Sequence, residues 1–406
     1  MSEYDIKLDK EKLIDLFSKN EGLGELLGSV LNQVLESQMT EHLGAERYEH
    51  QDERLGYRNG YRSRQLYTRV GALTLRVPQT RDGSFSTEIF KRYQRHEQAF
   101  VLGIMEMYLS GVSTRKVTKI TEELCGVSFS KSTVSQLCTE LDARLEAWRS
   151  RSLSTKKYPF LIVDALVVDI RRDDAIRSSA VLIAYGINED GIREPLDLLI
   201  GNSETESSWN DLFNRLKHRG LKGVDLIVSD SHQGLVNAAK KCFQGTRWQR
   251  CQVHFMRNIL GSASRHLRKG ISNHLKLIFT ASDKKTARKL AKELIIEYEK
   301  KAGRAMDCLE TGLEDAITIL ELPECYQKRL RTSNLAERVN EEIRRRQRVI
   351  RIFPNEKSAL RIIGAWLADL NDRWFMAAKY FNMNEYWDWK NSDEVKNEES
   401  NVINLN

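Results

Sequence analysis

Leu161–Arg171 reads LIVDALVVDIR, Leu226–Leu235 reads LIVSDSHQGL and Arg331–Arg346 reads RTSNLAERVNEEIRRR, and these three segments decide the fold. Each of the first two is a run of Leu, Ile and Val that carries an aspartate, the pattern of a buried strand. The third has helical composition, carries Glu337 and runs into a cluster of arginines. Two strand-borne carboxylates and one helix-borne carboxylate, in a basic chain, form the arrangement that can hold two divalent metal ions against a phosphodiester.

The flanking sequence places these segments in an α/β layout. Phe160–Ile170, Ala180–Ile187 and Glu194–Ile200 are apolar runs of strand length, with a charged turn at Arg171–Arg177. A helix with Trp209, Leu212, Phe213 and Leu216 on one face follows, then the strand Val224–Ser229. A three-strand meander, a helix and a further buried strand predict a ribonuclease-H-like core. Its first part spans 156–250, with the Glu337 helix and the rest of the core at 329–385. The gap from Asp230 to Glu337 is too long for a simple connection. Its composition is helical, so 251–328 is expected to be an all-α insertion.

Upstream, 1–98 reads as a helical and basic DNA-contacting region. Leu13, Leu16, Phe17, Leu23, Leu26 and Leu27 recur at roughly helical spacing, suited to packing or subunit contact. Arg54–Arg64 (RLGYRNGYRSR) interleaves Arg, Tyr and Gly, which suits phosphate contact plus stacking, and Arg58 and Arg62 are its candidate contacts. Leu73–Val77, closed by Pro78, reads as a short strand. From 99 to 151 three helical patterns break at Gly111-Val112-Ser113 and Cys125-Gly126-Val127-Ser128, matching a helix-turn-helix. Ser113 and Ser130 are candidate caps. The helix from Lys131 to Trp148 is then the candidate reader, with Lys131 and Gln136 near its start. The acidic, polar segment 386–406 is expected to be disordered.

Charge and cysteine usage bound the partners. The 406 residues suffice for two to four domains, and their formal net charge of +7 points to a polyanionic partner. Six cysteines without a pairing rhythm, and no long apolar run, point to a reduced, cytoplasmic protein with no membrane segment. No Gly-rich phosphate loop is present, which argues against an ATP-driven machine.

Within the chemical segments, Asp164 sits in a very apolar strand, where a carboxylate needs a cation or hydrogen bonds to offset its burial. Asp169, five residues on, faces the other side of a strand. Asp230 ends its strand, before the turn Ser231–Gly234, whereas Asp225 reads as a surface residue. Periodicity does not separate Glu337 from Glu341 and Glu342, since these acids have the spacing to pair with Arg344, Arg345 or Arg346. Cys251-Gln252-Val253-His254 is short of the four ligands of a closed zinc site. Its Cys251 and His254 fit either an active-site role or a packed domain junction.

The chain resembles the Mutator-type DDE transposases of bacterial insertion sequences. The matching stretches are GYRNGYR (Gly56–Arg62), RVGALTLRVPQTRDGSF (Arg69–Phe85), YLSGVSTRK (Tyr108–Lys116), the two aspartate strands, Cys251–His254 and Arg331–Pro354. The resemblance implies a catalytic triad of Asp164, Asp230 and Glu337, and it matches Cys251 and His254 to the family's Cys-x-x-His motif. It also implies cleavage and joining of double-stranded DNA, at terminal inverted repeats and target, by a homodimer or higher oligomer at the nucleoid. Two Mg²⁺ ions would be the cofactors, with Mn²⁺ a possible substitute, and Arg344, Arg345, Arg346 and Arg348 would hold phosphates. The alternatives are a domesticated, non-catalytic DNA-binding protein or repressor, and a nuclease that cuts without joining.

Overall fold

A computed structural model describes residues 20–49, 54–68, 70–89, 97–109, 112–125 and 140–392. Leu13, Leu16, Phe17, Ser130, Lys131, Gln136 and the tail from 393 lie outside the described residues. The chain divides into two compact units, Met1–Glu140 and Leu141–Asn406.

In the first unit, helix α1 (Asn20–Leu43) packs on an antiparallel hairpin of β1 (Arg58–Thr68) and β2 (Gly71–Thr80). Alternation in β2 sends Leu73, Leu75 and Val77 inward against Leu35, Leu31 and Leu27 of the helix. Pro78 does not close the strand: it pairs with Tyr61 beside a register shift in β1. Both strands of a two-stranded sheet are edges, so a missing N–H is tolerated there. Two further helices follow, α2 (Gln98–Leu109) and α3 (Thr114–Cys125). The Lys116 N–H donates to Ser113 Oγ at 3.4 Å, the cap that the sequence suggests.

The second unit is built on a mixed sheet of order β5-β4-β3-β6-β7. Helix α4 (Glu140–Ser150) leads into β3 (Phe160–Arg172), β4 (Ala175–Ile187) and β5 (Arg193–Gly201), all antiparallel. The β3–β4 hairpin is longer than the charged stretch Arg171–Arg177 suggests. Asp173 and Asp174 take up the turn alone, with φ of 48° and 59°. Aspartate tolerates this left-handed region, and two positive-φ residues match the twist of a hairpin.

Helix α5 (Glu206–His218) and helix α6 (Gln233–Cys242) cover one face of the sheet. Trp209, Leu212, Phe213 and Leu216 pack there on Leu161, Val163, Leu182 and Ile227, so the predicted apolar helix face is the buried one. Strands β6 (Leu226–Ser229) and β7 (Arg247–Arg250) run parallel to β3. The segment Ser231–Gly234 is less of a turn than its sequence suggests, because α6 already begins at Gln233. Gly234 allows α6 to meet the start of α5: a Cβ there would lie 2.7 Å from the Glu206 nitrogen.

After β7 come α7 (Gln252–Gly261), α8 (Arg268–Phe279), α9 (Lys284–Ala316), a short 3₁₀ turn (Thr318–Glu321) and α10 (Glu324–Leu330). Helix α11 (Asn334–Ile350) then lies along β3, and α12 (Glu356–Met376) packs on β5. The far end of α11 is tied down by backbone. Phe353 N–H donates to Asp169 O, and Arg171 N–H donates to Phe353 O, both at 2.9 Å. Among the described residues no helix is long and apolar enough to cross a membrane.

Helix α12 is anchored to α4 by a two-pronged ion pair, Arg361 Nε to Asp142 Oδ1 at 2.6 Å and Nη2 to Oδ2 at 2.8 Å. These bonds hold the Asp142 carboxyl below the usual carboxylate range. Its stabilising contribution is therefore complete above that range and is lost as pH falls through the lowered value. Asp142→Asn should cost about 2 kcal/mol at neutral pH. Urea unfolding should show this deficit against the wild type shrinking in acid, where both proteins lack the charge.

Candidate active site

Strand register brings the two aspartates together. In the parallel β3–β6 pair, Ile162 is opposite Val228. Asp164 and Asp230 each lie two residues further on, so they share a sheet face and a level, at the carboxyl end of β6. Other residues on that face of β3, Phe160, Ile162, Leu166 and Val168, are buried and apolar. Asp169 has the opposite parity and accepts a hydrogen bond from Ser178 on β4 at 2.9 Å. Asp225 is not a free surface residue: Lys390 pairs with it at 2.6 Å and the Tyr386 hydroxyl donates to it.

Helix α11 completes the cluster. Asn340 Nδ2 donates to Asp164 Oδ2 at 2.8 Å, fixing the helix against the strand. Glu337, one turn earlier, then faces the aspartates, and its charge is felt at Asp164. The helix phase thus separates the three acids that the sequence left open. Glu341 is exposed, while Glu342 pairs with Arg346 at 2.9 Å and Arg345 at 3.2 Å. Asp164 is only 9% exposed. Burial, then the charge of Asp230, with Glu337 adding a smaller push, moves its pKa up to about 7.

Cys251 and His254 lie on the same site. Cys251 is buried where β7 passes into α7, and its N–H donates to Ser229 O at 2.6 Å. Its sulfur accepts from the Ser333 N–H and hydroxyl, each at 3.3 Å, which joins the start of α7 to the start of α11. Burial raises the thiol pKa, but contact with His254 and Ser333 outweighs it and leaves the value lowered. His254 Nε2 stands 3.5 Å from Glu337 Oε1. Contact with Cys251, and the charges of Asp164 and Glu337, raise the His254 pKa against the effect of burial.

Other residues here carried little sequence signal. Asn340 follows Glu337 by three residues on one helix face, and only that spacing could have marked it. Glu204 sits in a loop, where Trp209 Nε1 donates to it at 3.1 Å. Burial and the charge of Asp230 raise its pKa.

The arginine assignments divide. Arg344, Arg345 and Arg348 are exposed on α11. Arg346 is instead buried, bonded to Glu342 and stacked 4.6 Å from the centre of the Trp366 ring, so it serves packing rather than phosphate contact. Arg58 is likewise engaged, by Glu36 at 2.9 Å and Thr40 at 2.8 Å. Arg62 is exposed on β1. The charge patterns of solvated and internally paired arginines look the same in sequence.

The donor set fits a hard divalent cation. Its atoms are carboxylate oxygens plus Asn340 Oδ1, which is buried without a hydrogen-bond partner. The repulsion that raises the Asp164 pKa is the deficit a cation would relieve. Among the described residues, no three His, Cys, Asp or Glu side chains are grouped closely enough to hold a metal ion as they stand.

The chain matches known proteins over most of its length. The sequence pattern of the family described as "Transposase, Mutator family" matches residues 1–377. The chain belongs to that family. The transposase for insertion sequence element IS256 in transposon Tn4001 of Staphylococcus aureus is 44% identical over 378 residues, 92% of this chain and 97% of that one. The transposase for insertion sequence element ISRM5 of Rhizobium meliloti is 44% identical over 370 residues, covering 91% and 93%. The transposase for element IS1081 of Mycobacterium tuberculosis is 32% identical over 366 residues, covering 88% and 86%.

A buried, repelled carboxylate costs stability when no cation accompanies it. In chelating, mildly alkaline buffer, Asp164→Asn should therefore melt at or above the wild-type temperature. A clear fall in melting temperature would show that the carboxylate is instead a structural hydrogen-bond acceptor.

Proposed function

We propose that this chain is a DNA transposase that binds the ends of its mobile element as double-stranded DNA, cuts there and joins the ends to target DNA. One observation carries the reading: the Ile162–Val228 register aligns Asp164 with Asp230, and Asn340 holds α11 so that Glu337 faces them. The sheet order β5-β4-β3-β6-β7, followed by helices before α11, supports a ribonuclease-H-like core with a helical insertion at 251–328.

Asp164, Asp230 and Glu337 would hold two Mg²⁺ ions, with Mn²⁺ a possible substitute. When bound, such ions ease deprotonation of the attacking hydroxyl and stabilise the leaving oxygen. The protein's own groups do the rest. Asn340 fixes the Asp164 carboxylate, so its orientation is set before DNA arrives. His254, whose pKa the contact with Cys251 raises and which has Glu337 beside it, is placed to give a proton to a departing oxygen or to hold a phosphate. The exposed Arg344, Arg345 and Arg348 grip the DNA backbone without reading sequence. Lys131 and Gln136 remain the proposed sequence readers of the first unit.

A pre-cleaved element end tests the reading, since joining supports a transposase, cutting alone a nuclease and binding alone a repressor. Asp164→Asn, Asp230→Asn and Glu337→Gln should each abolish cleavage and joining in Mg²⁺ while leaving end binding nearly intact. Asp169→Asn should be mild. Near-normal joining by Asp164→Asn would sink the assignment.

His254→Ala should slow joining while leaving the melting temperature unchanged. A large loss of stability, with activity per folded molecule intact, would make Cys251 and His254 a structural junction instead.

A further inference from the structure

A pocket of about 670 Å³ lies among α7, α8, α10 and the start of α11. It adjoins the carboxylate cluster: Gln252 and Val253 line it just before His254, and Asn334 lines it one turn before Glu337. Its volume falls within the roughly 300–1,000 Å³ of small-ligand pockets.

Two features define what it can take. Val253, Met256, Leu260 and Phe279 give it an apolar lining. Arg257, Arg268, Lys276, Lys328 and Arg331 surround that lining, and no carboxylate lines it. Arg268 donates to the Ala263 carbonyl, and none of the five cations has an acidic partner among the described residues.

A ligand matching both has a weakly polar body and carries negative charge at its margin. A nucleotide has that form. Phosphate alone would not use the apolar lining, and an apolar ligand would leave the cations unmatched. We propose that this pocket receives one nucleotide of the DNA strand, turned out of its duplex. The base lies on Met256, Leu260 and Phe279, and its phosphates lie among the cations. The proposal rests on the transposase reading and adds a specific binding step to it. Capture of a base beside the carboxylates would position the neighbouring phosphodiester for attack, and unpaired or mismatched ends would be favoured because they cost less to open.

Full-length protein in chelating buffer, bound to element-end DNA, provides the test. The fluorescent base 2-aminopurine is placed in turn at each nucleotide around the cut. The expected result is a severalfold rise at one position, reporting an unstacked base. Met256→Glu, which sets a carboxylate against the base and its phosphates, should abolish the rise, and exposed Lys328→Ala should diminish it if packing changes unfold the first variant. Met256→Glu should also weaken end binding on the order of tenfold, the loss expected for one stacking contact.

No rise at any position, in complexes that cut normally once Mg²⁺ is added, overturns the pocket proposal and leaves the transposase reading standing. A rise that persists in a folded Met256→Glu variant overturns it too. A protein that neither binds nor cuts element ends overturns the function reading and with it a strand nucleotide as the occupant. Binding of free 2-aminopurine deoxynucleotide monophosphate by that protein would then mark a free-nucleotide site.

Discussion

An aspartate on an inner strand of a sheet is an expensive placement, and the second unit is arranged around it. Strand β3 has β4 on one side and β6 on the other, and Asp164 shares its face with Phe160, Ile162, Leu166 and Val168. The Asn340 amide is the side-chain hydrogen bond it receives, and Asp230 and Glu337 push against its charge. The Ala165 backbone N–H adds a second bond, yet burial and the neighbouring carboxylates outweigh both donors.

That constraint explains why the connections are so firmly made. The Ile162–Val228 register sets the level of Asp230. The Cys251 sulfur holds the starts of α7 and α11 together through Ser333, so His254 and Glu337 keep a common reference. At the other end, Phe353 pairs with β3 on either side of Ile170. The helix bearing Glu337 is thus fixed at both ends and in the middle. A site that must hold like charges close together needs such rigid support, since any slack would let the carboxylates move apart.

Much of this was legible in the sequence, for identifiable reasons. Runs of Leu, Ile and Val marked the strands because buried strands tolerate little else. The Trp209, Leu212, Phe213 and Leu216 spacing marked the face of α5 that packs. Register was not legible, because the runs around Asp164 and Asp230 are apolar throughout and any offset of two residues buries them equally well. Helix phase was ambiguous among Glu337, Glu341 and Glu342 until Asn340 fixed it. Arg58 and Arg346 read as phosphate contacts, although Glu36 and Trp366 engage them. Asp225 read as a surface acid because Lys390 and Tyr386, its partners, lie far along the chain.

The same distinction between engaged and available charge bears on what a net charge of +7 means. Part of the basic excess is internal. Arg149, Arg215 and Arg219 surround the buried Asp197, whose pKa burial nevertheless raises, and Arg361 belongs to Asp142. These arginines offer little to a partner. Among the described residues, the cations without an acidic partner include those around the α7–α8–α10 pocket and Arg344 and Arg348 on α11. Helices α7 and α11 also carry His254 and Glu337. A cluster of acids bordered by uncompensated bases is unfavourable for each taken alone. Together they complement a ligand that brings both signs, cations at its reacting centre and phosphates to either side. The proposed DNA strand, with divalent ions at one phosphodiester, would bring that charge pattern, whereas a neutral metabolite or a simple polyanion would not.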